Sequence, residues 1–484
     1  MRHELRIAGL VGSLFLLGSN ALAGEFLVGA ASTDITPSQP VALDGQFGLR
    51  VSQKADTPIT ANVVALESRQ GNRSLDAAVM VSCDLVVISD LLLDKVRRAT
   101  QKRLPDLDMK KLFLNATHTH TAPVTRPGVY DIPKTGVMAV EDYCELAAER
   151  IGEAIAKAWQ GRKPGRFSWG LGHAAVAENR RATYADGHTV MYGKTDRPDF
   201  RGLEGYEDHD VGTLLFWNES GKLLAMAINV SCPSQEVEHL RNLNADFWHP
   251  VRESLRKRYG PELCVLGWAG AAGDQSPHLM YRKGAEERMR ELRKLTRVEE
   301  LARRIVEAVD ETFAAVKDDR HVGLPLIHQV ETLQLPMRLV TDAEYAEVKA
   351  AIAKEKPTQM RNRWQARVLE RYEQQKTDPH PTRATEIHLL RLGDVAISTN
   401  TFELFSDYGV QIKARSPAAQ TFVIQLVGGG TTACYLPTER AVRGGGYSAV
   451  VQSNLISPQG GQMLVDRTVA LIDSMWRKPD QAKK

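Results

Sequence analysis

After its first two dozen residues, the 484-residue chain holds no apolar run near the roughly 18 residues a membrane-spanning helix needs. Cysteine is scarce: the five residues Cys83, Cys144, Cys232, Cys264 and Cys434 are odd in number and far apart. That excludes a disulfide scaffold and leaves at least one thiol unpaired in a monomer. Neither sign of charge dominates, since 62 Lys and Arg face 59 Asp and Glu for a net charge of +3, so the electrostatic footprint of a nucleic-acid binder is missing. No internal repeat is found. No series of short strands follows residue 460, which argues against a C-terminal β-sandwich module. What remains is a globular composition, 43% hydrophobic and 25% charged.

The N-terminus carries MRHELR, then the short apolar run IAGLVGSLFLLG, then Ala21-Leu22-Ala23 before Gly24. This is the pattern of a cleaved secretory signal. It predicts a signal peptide over 1–23, and a mature protein that is exported, periplasmic or secreted, with no transmembrane segment. Cys83 and Cys264 each lie inside apolar runs and are expected to be buried structural thiols.

Strand-like and helical patterns alternate without a fixed period. EFLVGAASTDITP reads as a strand, and NVVALESRQGNRSLDAAVMVSCDLVVI as two strands about a Gly-Asn turn. DLLLDKVRRATQKRL and EDYCELAAERIGEAIAKAWQG read as amphipathic helices. Further strands are expected in FSWGLGHAAVA, VGTLLFWNESGKLLAMAINVSCPS, ELCVLGWAGAAG, TEIHLLRLGDVAISTN and QTFVIQLVGGG, with helices at 247–259, 284–316, 342–354 and 462–476. The fold class is therefore mixed α/β with antiparallel pairs, a single large domain over 24–484 with a helical, charged insertion near 340–385. Basic residues cluster at 281–304 and 348–376, where acids alternate with them at helical spacing, and both stretches read as solvated helix faces.

Several segments are candidates for chemistry. NATHTHTAP sets His118 and His120 one residue apart. In an extended chain residues i and i+2 share a face, so the two imidazoles would converge as a metal pair. Thr117, Thr119 and Thr121 are available to orient them. GWAGAAGDQSPH ends a strand of small residues at Asp274 and Ser276, a serine that needs a base or a metal to become a nucleophile. ENRRATYADG offers Arg180, whose guanidinium fork suits a carboxylate or phosphate. STNTFELFSDYG places Glu403 past an apolar strand, where a carboxylate is either a metal ligand or a first-turn charge. GGGTTACYLPTERAVRGGGYSA brackets Tyr435 with glycines and ends at Tyr447.

In this order the segments resemble the N-terminal catalytic domain of the neutral/alkaline, non-lysosomal ceramidases. GAASTDITP opens the likeness; NATHTHTAP looks like that family's TATHTHSGP, GDQSP like its GDVSP and ENRR like its Asn-Arg-Ser element. TFE matches a Pro-Gly-Glu element, and CYLPT with GGGY matches a tyrosine-bearing loop. The likeness spans about residue 25 to 465. It implies a layered α/β/β/α sandwich and a zinc amidase cleaving N-acylsphingosine-like bonds, with about one Zn2+ per chain. By position, His118, His120, Glu403 and Tyr435 are the implied metal residues. Ser276 matches the active-site serine, and Arg180 and Tyr447 match groups that contact the scissile carbonyl.

One departure bears on the metal. The family's further histidine ligand lies in a Cys-His-Pro-Thr element, and here INVSCPSQ puts Cys232 in its place. Thiolate is a good zinc ligand, so a site of His118, His120, Cys232 and Glu403 is expected, with His239 or another group as the alternative third ligand. The polar stretch TDRPDFRGLEGYEDHD and the lack of a dense apolar segment keep a second substrate class open. On that reading the chain is a metal-dependent hydrolase or lyase of an acidic or N-acylated saccharide. A non-catalytic binding protein on the same scaffold is the third reading. The small-molecule partner is thus a lipid or a saccharide.

Overall fold

The computed structural model describes residues 24–321, 325–354, 359–428 and 434–477. The signal-peptide reading of 1–23, and part of the first glycine-rich loop, lie outside these residues.

An eight-stranded mixed sheet runs in the order Cys264–Ala269, Leu223–Val230, Asp210–Asn218, Lys163–His173, Glu25–Asp34, Thr60–Gln70, Arg73–Cys83, Leu112–Ala116. A four-stranded sheet follows, Leu326–Pro336, Thr382–Leu392, Val395–Thr399, Gln420–Ile424. Alternation along the strands decides the layers, because successive side chains leave opposite faces. Val63, Ala65, Val79 and Val81 pack against the helices Asp90–Arg103 and Val140–Gln160. Their neighbours Val64, Leu66, Ala78 and Met80 face the second sheet, where Leu390, Ile397, Phe422 and Ile424 meet them. On the far side of that sheet, Leu389, Ala396 and Val423 lie under the helices Ser406–Arg415 and Pro458–Trp476. The helix Arg297–Val316 and the helix Trp248–Tyr259 cover the other half of the large sheet. The result is one α/β/β/α domain, as the sequence resemblance implied. The five cysteines are all buried and free.

One supersecondary unit recurs three times: an antiparallel hairpin, a helix, and a strand returning parallel to the second hairpin strand. It is built by Thr60–Cys83 with Leu112–Ala116, by Asp210–Val230 with Cys264–Ala269, and by Thr382–Thr399 with Gln420–Ile424. Each parallel pair ends in loops at the carboxyl ends of its strands, where open α/β sheets bind ligands. His118 and His120 follow the first, Asp274 and Ser276 the second, and Glu403 and Tyr435 the third. The recurrence is topological, which is why no sequence period reveals it.

The charged stretch 340–385 forms two helices, Asp342–Lys354 and Gln359–Gln374, around a small core of Val340, Val348, Val368 and Val451. Only part of this stretch is a solvated face. Gln365 and Val368 are buried, and Arg363, Trp364, Arg367 and Arg371 line a cavity.

Candidate active site

His118 and His120 meet, by a different route from an extended chain. The strand ends at Ala116, and His118 adopts a left-handed backbone with φ 69°, an uncommon conformation for a residue with a side chain. Its amide donates to the Leu85 carbonyl at 2.9 Å. The two Nε2 atoms lie 3.1 Å apart. Such strain gathers where the surrounding structure over-determines a functional geometry.

The other ring nitrogen of His118 fixes its tautomer. His118 Nδ1 sits 2.9 Å from the Val86 carbonyl oxygen, which only accepts, so the proton resides on Nδ1. His120 Nδ1 lies 2.9 Å from Glu238 Oε2, without the geometry of a hydrogen bond. Burial, and then the neighbouring His120, push the His118 pKa well below that of an ordinary histidine, so His118 is neutral. The lone pair of His118 Nε2 therefore faces His120 Nε2 at 3.1 Å, where it accepts either a proton from that nitrogen or a cation held by both rings. A carbonyl on one imidazole and a carboxylate on the other is the outer support that metal-ligating histidines take.

Glu403 completes the group. Its Oε2 is 3.5 Å from His118 Nε2 and 3.9 Å from Arg180 Nη2. Burial raises its pKa, while Arg180 and a hydrogen bond with Tyr435 oppose that rise. Among the described residues no group of three or more His, Cys, Asp or Glu is arranged to hold a metal ion. Two imidazoles and an adjacent carboxylate are nevertheless the donor types of an open, catalytic zinc site.

Two glycines make this approach possible. A Cβ on Gly45, at φ +94°, would stand 2.5 Å from the His120 ring, and one on Gly273 would stand 2.3 Å from the Glu403 carbonyl oxygen. Arg50 ties the same loops together. Its guanidinium donates to the carbonyls of Asp44, His120, Glu238 and Leu240 at 2.6–2.8 Å.

The remaining sequence candidates divide. Arg180 is buried and donates to the Gly273 carbonyl at 2.9 Å, the Tyr192 hydroxyl at 3.1 Å and the Tyr435 hydroxyl at 3.3 Å. Burial alone would lower its pKa, but Tyr435, Tyr192 and Glu403 outweigh burial and raise it. Tyr435 and Tyr447 are in edge-on contact at 5.8 Å and share with His118, His120, Arg180 and Glu403 the lining of a cavity of about 300 Å³. Burial pushes the Tyr447 hydroxyl up to about 12. Ser276 stands just behind the wall, where its Oγ accepts from the Tyr192 hydroxyl at 3.0 Å and the His278 amide at 3.1 Å.

Asp274 does not face Ser276. Its carboxylate accepts from the Ser406 amide and hydroxyl, both at 2.8 Å, and from Asn179 Nδ2 at 2.9 Å, and burial raises its pKa to about 6. Cys232 is not brought to the histidine pair either. Its Sγ lies 3.5 Å from the carbonyls of Val176 and Pro233 within an apolar cluster, and burial raises its pKa well above a free thiol. His239 is exposed. The group that reaches the pair from this loop is Glu238, six residues past Cys232, which sequence reasoning passed over. Tyr192, with φ 57°, and Gln235, which donates to the Tyr192 hydroxyl at 2.7 Å, were also missed. No motif marks them, and only the fold carries their loops to Arg180.

No protein-family model and no curated protein matches this sequence. Solved structures do. The neutral ceramidase from Pseudomonas aeruginosa superposes with a TM-score of 0.66 at 18% identity, over 93% of this chain and 75% of that one. The chain has the neutral ceramidase fold. A ceramidase complexed with C2 aligns equally well, with a TM-score of 0.66 at 16% identity, over 93% of this chain and 76% of its own.

Proposed function

We propose that this protein is a zinc-dependent hydrolase that cleaves an N-acyl amide in the cavity above His118, His120 and Glu403. The observation that carries the reading is the 3.1 Å approach of two Nε2 atoms, with the Val86 carbonyl behind His118 and the Glu238 carboxylate behind His120. His118, His120 and Glu403 would hold the metal, with Tyr435 beside them and Cys232 outside the set. Zinc there would polarise a substrate carbonyl and acidify water.

The chain's own groups supply the rest. Arg180, fixed by Gly273, Tyr192 and Tyr435, presents a charge that needs no reorganisation to stabilise an oxyanion developing on the attacked carbonyl. Ser276 serves to hold Tyr192. Among the described residues no carboxylate or imidazole accepts a hydrogen bond from its hydroxyl, so water rather than Ser276 is the nucleophile in this reading. N-acylsphingosine is the substrate of the family that the sequence resembles. The arginine-lined side of the cavity favours the second reading, a polar acidic N-acyl substrate.

Metal analysis of the purified protein tests the core of the proposal. About one zinc per chain is expected, lost in His118→Ala and retained in Cys232→Ala. A zinc-free wild type, or zinc lost with Cys232, overturns the ligand set. Export rests on the N-terminal pattern and on the absence, among the described residues, of any helix long and apolar enough to cross a membrane. N-terminal sequencing of protein recovered outside the cytoplasm should begin at Gly24, and an intact Met1 terminus contradicts it.

A further inference from the structure

The helix Gln359–Gln374 carries Arg363, Arg367 and Arg371 at successive steps of four, which stacks them on one face. That face is only partly open to solvent: Arg367 is exposed, while Arg363 and Arg371 are half-buried. With Arg126 it lines a lobe of about 110 Å³ that shares Phe47, Arg126, Glu403, Tyr435 and Tyr447 with the cavity above the histidine pair. Glu403 is the only acid among the lobe's lining residues, against four arginines. Asp44 engages Arg126 at 2.8 and 2.9 Å. Arg363 has Asp131 no nearer than 3.9 Å, and Asp131 is largely exposed.

Several arginine Nε atoms are buried without a partner, so that feature by itself discriminates nothing. Among the described residues, however, Arg363 Nη1 is the only terminal guanidinium nitrogen in that state. A buried donor left unmade costs on the order of 1–3 kcal/mol and calls for an acceptor. Burial, then repulsion from Arg126 and Arg363, lowers the Arg367 pKa against the opposing pull of Glu370. Three aromatic faces close the lobe. Phe47 and Trp364 are 5.6 Å apart, while Trp364 and Tyr447, and Phe47 and Tyr447, are each 5.8 Å apart.

We propose that this lobe is a subsite for a ring-bearing carboxylate, so that the molecule handled at the histidine pair is an acidic saccharide of the uronate class. The guanidinium forks of Arg363 and Arg367 take the carboxylate, as planar bidentate partners do, and Trp364, Phe47 and Tyr447 take the apolar face of the ring. This inference rests on the hydrolase reading for its place in catalysis but not for binding.

Calorimetric titration of the wild-type protein with D-glucuronate, methyl D-glucuronate ester, D-glucose, sulfate and dodecanoate tests it. Zinc content is measured on the same samples. Glucuronate should bind about tenfold more tightly than the ester, the neutral sugar or sulfate, a gap worth one charge-assisted fork. Arg367→Gln should erase that preference, and Arg367→Lys should restore part of it. Equal affinity for acid and ester, equal affinity for sulfate, tighter binding of dodecanoate, or no binding of any probe each overturns the subsite. A zinc-free protein that keeps the glucuronate preference sinks only the hydrolase reading. A zinc protein that cleaves amides without that preference sinks only this one.

Discussion

At the scale of single residues, the loop after Val230 shows how burial sets charge. Glu236 lies two residues before Glu238, with Arg297 at 3.8 Å and the acids Asp246 and Glu238 acting on it as well. Burial raises its pKa from 4.5 to about 8, against the pull of Arg297. A carboxyl whose folded pKa lies above its unfolded value binds more protons when folded. Its penalty is therefore absent below about pH 4.5, grows through the window to pH 8, and is complete above it. At about 1.4 kcal/mol per unit, the loss is on the order of a few kcal/mol. Glu236→Gln should raise the urea midpoint at pH 8 and change it little at pH 4; equal shifts at the two pH values would refute the assignment. The motif residues were legible at this scale. His118, His120, Arg180, Glu403, Tyr435 and Tyr447 were found from residue type and spacing, and the fold brings all six to one cavity. Asp274 was read from spacing and Cys232 from the family resemblance, but neither spacing nor resemblance can say which way a side chain leaves a loop. Both turned towards partners far along the chain, Val176 for Cys232 and Ser406 for Asp274.

At the scale of elements, the two helices over 342–374 are held less by apolar burial than by arginines on backbone carbonyls. Arg371 donates to the carbonyls of Val451, Asn454 and Arg338 at 2.6–3.0 Å. Arg338 reaches the Ala449 carbonyl at 2.8 Å, the Asn454 side chain at 2.6 Å and Glu344 at 2.8 Å. Charge-assisted bonds of this kind are worth about 1.5–3 kcal/mol each when buried. Arg338→Ala should loosen this unit ahead of the sheets. Limited proteolysis is expected to cut first within 342–374, several-fold faster than in wild type, while the near-ultraviolet spectrum of the core persists. Unchanged cleavage would show that the valine core alone anchors the helices. The helical period here was plain in the sequence. Which face was buried was not, because arginine and glutamate alternate equally well on a wet face and on one whose guanidinium groups seek carbonyls.

At the scale of the whole molecule, one apolar layer joins the two sheets, and Phe422 sits in it, 1% exposed and edge-on to Trp268 at 5.7 Å. Phe422→Ala should cost about 3–5 kcal/mol. If the sheets unfold as one unit, far- and near-ultraviolet transitions will shift together; separate transitions would mark two folding units. By itself, the sequence determined the mixed α/β class, most strand and helix positions and the pairing of His118 with His120, since these follow from local periodicity and residue chemistry. Only the tertiary structure decided that three crossover units deliver their loops to one place. It also decided that Glu238 rather than Cys232 approaches the histidine pair, and that an arginine-bearing helix lines a lobe beside the cavity. Those outcomes depend on contacts between residues up to a few hundred positions apart, and no local pattern encodes the direction of a side chain across such a span.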